Sequence, residues 1–166
     1  MTRTVIRAYQ EPDAPAVGLL IADTYADYNL DFLDPEEVGA YLGPFRHADS
    51  ADPEHRQAIA DAIYSHTVLV AERDGKVVGV LRGRPGRLAS LFVCGDCQRQ
   101  GIGRQLVNHF EQGAIEAGVK VIRVAVTLYG VPFYSAMGYR RSTGVRLGHS
   151  FEGTSLPYQP MRKVIS

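Results

Sequence analysis

Hydrophobic positions in the first part of the chain change from strand-like alternation to helical spacing. The run Thr4–Tyr9 alternates sufficiently to predict a strand. Asp13 then stands where a helix N-cap is expected, and Val17, Leu20 and Ile21 follow at intervals of three and one residues, as on one helical face. The chain is therefore predicted to open with a strand followed by an amphipathic helix.

Two cap signatures predict the next pair of helices. Asp34 and Asp52 each precede a proline, which suits the first helical position, and glutamate follows in the first turn. We expect helices over Pro35–Leu42 and Pro53–Ser65. The segment between them, Gly43–Ser50, contains glycine and proline and is predicted to be a loop.

A hairpin follows. The runs Thr67–Arg73 and Val77–Arg82 are rich in β-branched residues and flank Asp74-Gly75-Lys76. Asp-Gly between such runs is a strong short-range signal for a tight turn between antiparallel strands. After a further glycine-containing turn, Arg87–Cys94 is predicted to form a third strand.

The middle of the chain predicts a strand, loop, helix and strand. A glycine-containing loop over Gly95–Gly103 leads into apolar positions near 3.6-residue spacing from 102 to 117, and Gly118 stands where a helix ends. The apolar run Val119–Val126 is typical of a buried strand. A crossover through a helix implies that this strand and Arg87–Cys94 are parallel.

The last part of the chain predicts one short helix and two strands. The helix covers Gly130–Met137 and stops at Gly138, and the strands cover Tyr139–Leu147 and Tyr158–Ile165. Together with the preceding elements, these predict a mixed sheet with helices packed on it.

Composition and charge narrow the function classes. The chain has 166 residues, 45% of them hydrophobic, which suits a single domain over residues 1–166 with its own core. Basic and acidic residues number 18 each, and this neutral balance without a basic run argues against a nucleic-acid partner. We find no signal peptide and no run long enough to cross a membrane, so we expect a cytoplasmic protein that does not bind membranes.

The most informative segment is the turn at the predicted start of the long helix. Gly101 and Gly103 allow the backbone to approach an anion, the first helical turn leaves its amides free, and Arg99 and Arg104 flank it. These features suit a pyrophosphate. The segment is not a dinucleotide fingerprint, since Leu106 occupies the third glycine position, and it lacks the Gly-Lys-Ser/Thr of a P-loop.

Two motifs in this sequence resemble those of one enzyme family. Gln98-Arg-Gln-Gly-Ile-Gly103, preceded by Leu91-Phe-Val93, is similar to the acyl-CoA pyrophosphate signature of the GNAT superfamily of N-acetyltransferases. Val131–Tyr139 resembles the family's Phe-Tyr-x-x-x-Gly-Phe/Tyr segment. The resemblance implies an α/β (α+β) fold with a mixed, mostly antiparallel sheet, a parallel splayed βαβ pair and helices on both faces.

The resemblance also implies the activity, which is transfer of the acetyl group of acetyl-CoA to a primary amine by direct attack. Tyr134 matches a tyrosine that protonates the departing thiolate, and amides near Phe92 and Val93 would bind the pantetheine arm. Thr127 stands where many relatives have asparagine, and Gly95 replaces a frequent proline. The implied cofactor-binding residues are Phe92, Val93, Gln98, Arg99, Gln100, Gly101, Ile102, Gly103, Arg104, Thr127, Phe133 and Tyr134.

The acceptor amine and the general base are less well defined by the sequence. In the family, the region after the first helix walls the acceptor site, and here it holds acidic and aromatic residues that would suit a cationic amine. They are Asp23, Asp27 and Asp31 amid Tyr25, Tyr28 and Phe32. The alternative interpretation, which we favour, is a solvated helix face beside aromatic residues of the core. Ala89 and Ser90 stand where some relatives keep a carboxylate base. The base is therefore a water chain or a group such as Glu72 or His66.

Loops around Tyr28–Ser50 and Ser142–Pro157 are expected to set specificity, for a small-molecule or peptide amine. A homodimer formed through edge strands is possible. No histidine pair has metal-ligand spacing on a helix, so we predict no metal.

Two other functions fit parts of the sequence. Cys94-Gly-Asp-Cys97 lies between a strand and a helix, as a thioredoxin-like dithiol would, although the default for two cysteines in such a chain is free thiols. A CoA-binding module without catalysis would use the same glycine turn, but it would not need Tyr134. Release of free CoA in the presence of amines distinguishes that module from an enzyme.

Overall fold

The computed structural model describes residues 3–30 and 33–165. The element bounds are as follows: β1 Thr4–Ala8, α1 Ala14–Thr24, α2 Pro35–Leu42, α3 Pro53–Ile63, β2 Thr67–Arg73, β3 Lys76–Arg84, β4 Arg87–Val93, α4 Ile102–Glu116, β5 Val121–Thr127, α5 Val131–Ala136, β6 Arg140–Arg141, β7 Arg146–Ser150 and β8 Gly153–Val164. Short 3₁₀ turns join several of these elements, and a π-helical turn, Tyr25–Asn29, continues α1.

In the described part of the chain, eight strands form one sheet in the order β1-β2-β3-β4-β5-β8-β6, and β7 also pairs with β8. Strands β4 and β5 are parallel, and the remaining neighbours are antiparallel. The mixed, mostly antiparallel sheet and the parallel crossover through α4 are therefore confirmed.

Helices cover both faces of the sheet. Because side chains alternate along a strand, Ala71 and Leu81 pack in the core beneath α4, whereas Val70 and Val80 pack in a second core with α1 and α3. Every one of these four side chains is fully buried. The predicted placement of helices on the two faces is confirmed.

Local turn and cap signals are realised where the sequence predicts them. Asp74 and Gly75 both adopt positive φ, 53° and 75°, as the tight hairpin requires. Gly118 ends α4 at φ 84°, and the amide of Val119 donates to the Ala114 carbonyl at 2.9 Å. Asp52 caps α3, since its carboxylate accepts from the Glu54 amide at 2.9 Å.

Asp13 stands at the N-cap position of α1, but its carboxylate does not cap that helix. It accepts instead from the Gln10 amide at 2.8 Å and from both terminal nitrogens of Arg7 at 2.8 and 2.9 Å. Arg7 also donates to Glu72 at 2.8 Å. Asp13 therefore joins α1 to the edge of the sheet through Arg7.

The C-terminal strands differ from the prediction. The expected strand Tyr139–Leu147 is broken after Arg141, and a hairpin over Arg146–Ser150 and Gly153–Val164 replaces the expected loop before Tyr158. The turn of that hairpin contains Phe151 at φ 54°. Neither Phe151 nor Glu152 belongs to the residue types that signal a tight turn, so no local pattern predicts this hairpin.

No helix among the described residues is long and apolar enough to cross a membrane. Asp31 and Phe32, which were expected to help wall the acceptor site, lie outside the described residues.

Candidate active site

Strands β4 and β5 separate soon after they meet. Among the described residues, they pair in only two places, Arg87 with Arg123 and Leu88 with Val124. Beyond Leu88, β4 keeps its antiparallel pairing with β3 as far as Val93, and no described strand pairs with its other edge. The parallel pair is therefore splayed, and the gap leaves backbone groups of β4 available to a ligand.

A turn with unused amides stands at the end of the splayed strand. Arg99 and Gly101 adopt positive φ, 65° and 83°, and no side chain caps α4. Within the described residues, the amides from Arg99 to Arg104 donate to no backbone carbonyl or side chain, and Gln105 is the first to bond back, to the Gly101 carbonyl at 3.0 Å. Such a row of amides at a helix N-terminus attracts an anion.

The two glycines of this turn serve different purposes. A Cβ on Gly101 would meet nothing within 4 Å, so the space beside this residue is open and does not itself require a glycine. Glycine is favoured here because the residue adopts positive φ. A Cβ on Gly103 would lie 3.2 Å from the Phe133 ring. Gly103 therefore allows the start of α4 to approach α5 closely.

One cavity of about 1190 Å³ runs along the splayed strands from this turn toward α1 and the β7–β8 hairpin. Nearly all of the residues predicted to bind the cofactor line it. They are Phe92, Val93, Gln98, Arg99, Gly101, Ile102, Gly103, Arg104, Thr127, Phe133 and Tyr134.

Gln100 and Gln98 are placed differently. Gln100 does not line the cavity, because its side chain bonds to Arg73 and to the Asp96 carbonyl outside it. The Gln98 amide group donates to the Val93 carbonyl at 3.1 Å and accepts from the Tyr129 hydroxyl at 3.2 Å. Gln98 thus links the end of β4 to the turn that follows β5.

Tyr134 lies in the cavity wall with a buried ring, and its hydroxyl has no partner among the described residues. The residue is 6% exposed, and burial raises the pKa of its phenol above the ordinary value. Its hydroxyl makes no hydrogen bond to any described residue. Because every fully buried side-chain oxygen and nitrogen in the described part of the chain has a partner, this hydroxyl oxygen is not fully buried. The Tyr134 hydroxyl therefore keeps contact with the cavity and stays protonated at neutral pH.

A polar cluster behind the cavity fixes the position of the Tyr134 ring. Tyr134 packs edge-to-face against Tyr139 at 5.4 Å between ring centroids. The Tyr139 hydroxyl donates to Glu111 at 2.9 Å, and Lys163 forms an ion pair with the same carboxylate at 2.8 Å. The three groups join α4, the segment after α5, and β8.

The other end of the cavity is formed by α1, β3, β4 and the C-terminal hairpin. Tyr25, Arg82, His149, Ser150 and Tyr158 line it. The Tyr25 hydroxyl donates to Ser150 at 2.9 Å, which joins the end of α1 to β7. The sequence singles out Tyr25, and His149 and Ser150 lie within the segment Ser142–Pro157 that was predicted to set specificity. Tyr158 was not expected here, because its placement depends on the hairpin that the sequence does not signal.

Several residues considered for the acceptor site lie elsewhere. Asp23 and Asp27 line a separate, shallower cavity beside Arg7 and Asp96. Glu72 is held by Arg7, and neither Glu72 nor His66 lines the large cavity. An acidic wall made of Asp23 and Asp27 is therefore not part of the cavity.

The setting of the two cysteines disfavours a redox centre of the thioredoxin type. Both are free thiols, half-buried in a 3₁₀ turn, and α4 begins only at Ile102. Burial is the largest cause that raises the pKa of Cys97. A reactive thiol needs its pKa lowered, so this site disfavours the dithiol chemistry that the sequence left open.

The free amides at the start of α4, the open space at Gly101 and the splayed strands suit a long ligand with a diphosphate. A family model described as an acetyltransferase (GNAT) domain matches residues 34–165 of this chain. The chain therefore belongs to the GNAT acetyltransferases, a family of N-acetyltransferases that use acetyl-CoA and acetylate amines. The resemblance carried by the Gln98–Gly103 and Val131–Tyr139 segments is confirmed.

Solved structures support the fold assignment. The chain is similar to a GCN5-related N-acetyltransferase from Rhodopseudomonas palustris, with a TM-score of 0.76 and 20% identity over 96% of this chain and 94% of that one. It is also similar to the PaiA N-acetyltransferase of Thermoplasma acidophilum in complex with coenzyme A, with a TM-score of 0.71 and 15% identity over 98% and 99% of the two chains. Among curated protein sequences, no match was found.

Proposed function

We propose that this protein transfers the acetyl group of acetyl-CoA to a primary amine by direct attack, without a covalent enzyme intermediate. The observation that carries this proposal is the continuous cavity that joins the free amides at the start of α4 to the Tyr134 hydroxyl and the acceptor end. A ternary complex needs such a cavity, because the amine and the thioester must meet within it.

The diphosphate of CoA would bind at the turn between β4 and α4. The main-chain amides from Arg99 to Arg104 supply the donors, and the start of α4 adds the positive end of the helix dipole. The pantetheine arm would lie between β4 and β5, where Phe92 and Val93 present an edge without a partner strand. Phe133 and Thr127 line the same passage.

Tyr134 is the proposed general acid. As the amine nitrogen bonds to the acetyl carbon, the carbon–sulfur bond breaks and the sulfur leaves as a thiolate, which takes a proton from the Tyr134 hydroxyl. The buried phenol is protonated beforehand and has no other acceptor in the described part of the chain.

The attacking nitrogen loses a proton, which is returned through solvent to Tyr134. Neither Glu72 nor His66 lines the cavity, whereas His149 does. The proton therefore passes to water or to the His149 imidazole.

Two measurements on the purified chain test this function. Calorimetric titration with CoA should release heat at a one-to-one ratio, and free CoA thiol should appear when acetyl-CoA is supplied with a panel of amines. Absence of CoA binding would overturn the proposal. Binding of CoA with no thiol release on a broad panel would point instead to a binding module without catalysis.

A further inference from the structure

In the described part of the chain, the acceptor end of the cavity contains positive side chains and no carboxylate. Among the described residues, the ionised side chains in the whole cavity wall are Arg82, Arg87, Arg99 and Arg104. Arg99 and Arg104 flank the turn proposed to hold the CoA diphosphate. Arg82 and Arg87 lie toward the opposite end of β4, so the diphosphate does not account for them.

Arg82 is half-buried and has no acidic partner among the residues that the structure describes. Its guanidinium donates to the Ile63 carbonyl at 2.9 Å, to the Tyr64 carbonyl at 3.4 Å and to Ser90 Oγ at 3.4 Å, all of them uncharged acceptors. Burial lowers the pKa of Arg82, and no carboxylate opposes that shift. A buried charge is costly unless it is paired, so this arrangement favours an anion supplied from elsewhere.

The Arg82 guanidinium also has N–H groups that make no hydrogen bond to a described residue. An arginine side chain carries five N–H groups, and three hydrogen bonds account for three of them in the described part of the chain. The carbonyls at the end of α3 hold the planar group in place. Its remaining N–H groups are thus oriented in advance, as recognition of a carboxylate or phosphate requires.

Arg82 lies in the wall of the same cavity as Tyr134, near the place where β4 and β5 separate. It pairs with Ser90 across β3 and β4, two residues beyond Leu88, where β4 and β5 separate. Tyr25, Ser150 and Tyr158 enclose the same end of the cavity. An acceptor whose amine reaches this point would place a neighbouring substituent next to Arg82.

We propose that the acceptor amine carries an anionic group close to its nitrogen, as an amino acid does, and that Arg82 binds this group. This inference rests on the acetyltransferase function proposed above. It makes the acceptor an amino acid, a related carboxylate or an aminoalkyl phosphate, and it argues against polyamines, which bring only positive charge into a positive cavity.

The test compares matched amines. Alanine, leucine and phenylalanine are each assayed beside their amides, and O-phosphoethanolamine is assayed beside ethanolamine, with spermidine as a cationic amine. We expect kcat/KM for the anionic member of the best pair to exceed that of its neutral partner by about 10- to 100-fold. The amino acid and phosphate arms show which anion is bound.

Arg82→Gln should remove this preference, because it should raise KM for the anionic amine much more than KM for its neutral partner. Arg82→Lys keeps the charge without the planar fork and should retain part of the preference. Arg84→Gln, an exposed residue of β3, is the matched control.

The preference in the wild-type chain decides the question even if Arg82→Gln fails to fold. Equal or faster turnover of amides, ethanolamine or spermidine would overturn this inference and leave the acetyltransferase function standing. If none of the amines is acetylated, both proposals fail.

Discussion

The Tyr139 hydroxyl donates a 2.9 Å hydrogen bond to the Glu111 carboxylate, and both residues are buried behind the proposed reaction site. Lys163 approaches the other oxygen of the same carboxylate at 2.8 Å. Burial and the neighbouring Glu111 charge raise the pKa of Tyr139, so its phenol stays a donor at neutral pH. These contacts join three parts of the chain around the ring that supports Tyr134.

Tyr139→Phe is expected to destabilise the fold. It removes one hydrogen bond from a buried carboxylate, which costs about 1.5–3 kcal/mol of unfolding free energy. Urea denaturation monitored by circular dichroism gives this value. Tyr64→Phe, at a residue that is 81% exposed, is the matched control and should change stability by less than about 0.5 kcal/mol. A fully stable Tyr139→Phe would show that the Glu111 hydrogen bond contributes nothing net.

Tyr134→Phe, in contrast to Tyr139→Phe, should lower activity and leave stability nearly unchanged. Loss of a positioned general acid should lower kcat by about 10²- to 10⁴-fold, while CoA affinity and melting temperature stay close to wild type. Steady-state thiol release, calorimetry and thermal denaturation measure the three quantities. Tyr139→Phe is the control, because it also removes a tyrosine hydroxyl near the site but keeps the hydroxyl of Tyr134. Unchanged kcat in Tyr134→Phe would remove the phenol from the mechanism.

Two glycines of the α4 segment provide a matched pair for the CoA site. Gly101→Ala places a side chain on a residue with left-handed backbone conformation, which costs about 1–2 kcal/mol of conformational free energy. The backbone of the turn should shift to relieve this strain, so its amides would point away from the diphosphate and CoA binding should weaken about tenfold. Gly113→Ala, at an exposed position within α4 with nothing within 4 Å of the added Cβ, should stabilise the chain by about 0.5–1 kcal/mol. Equal CoA affinity in both variants would contradict the proposed site.

Acid should weaken the link between α1 and the sheet. Hydrogen bonds from Arg7 hold the pKa of Asp13 below its usual value. Because the native pKa is depressed, this stabilisation is present above the unfolded-state pKa of about 3.9 and is lost as the pH falls through the native value.

Asp13→Asn should therefore be less stable than wild type at pH 7, and the difference should shrink below about pH 4. Urea denaturation across this pH range measures it, with Asp61→Asn, at an exposed position of α3, as control. A difference that stays constant from pH 7 to pH 3 would contradict the assignment.

The cysteines are expected to be dispensable. The double variant Cys94→Ala/Cys97→Ser should keep acetyl transfer within about twofold of wild type, because the thiols are half-buried and the pKa of Cys97 is raised rather than lowered. Thiol titration and the CoA-release assay measure the two properties. Loss of all activity in Cys97→Ser alone, together with a disulfide reducible at physiological potentials, would restore the redox hypothesis.

Local signals predicted most of the fold. Asp74-Gly75, Asp52 and Gly118 each depend on the conformation of a few adjacent residues, and each appears where the sequence indicates. The hairpin around Phe151 was missed because its turn is set by packing rather than by turn-forming residues. Its position depends on contacts with α2, including the hydrogen bond from Ser150 to the Tyr41 carbonyl at 2.7 Å.

The same distinction applies to the candidate site. The glycine turn and the Phe133-Tyr134 segment were recognisable because their residues are adjacent in the chain. Arg82 was not, since its environment is assembled from the end of α3, β4 and the C-terminal hairpin. The Gln100 side chain points away from the cavity because Arg73 and Asp96 bind it, a tertiary contact that spacing does not predict.

The two places where β4 meets β5 are also the seam between an N-terminal half of the sheet, β1 to β4, and a C-terminal half, β5 to β8. A molecule bound between β4 and β5 would contact both halves of the sheet. It would stabilise a junction at which the two strands have few backbone contacts of their own. Binding of the cosubstrate at the proposed site would therefore stabilise the fold at this junction as well as prepare the reaction.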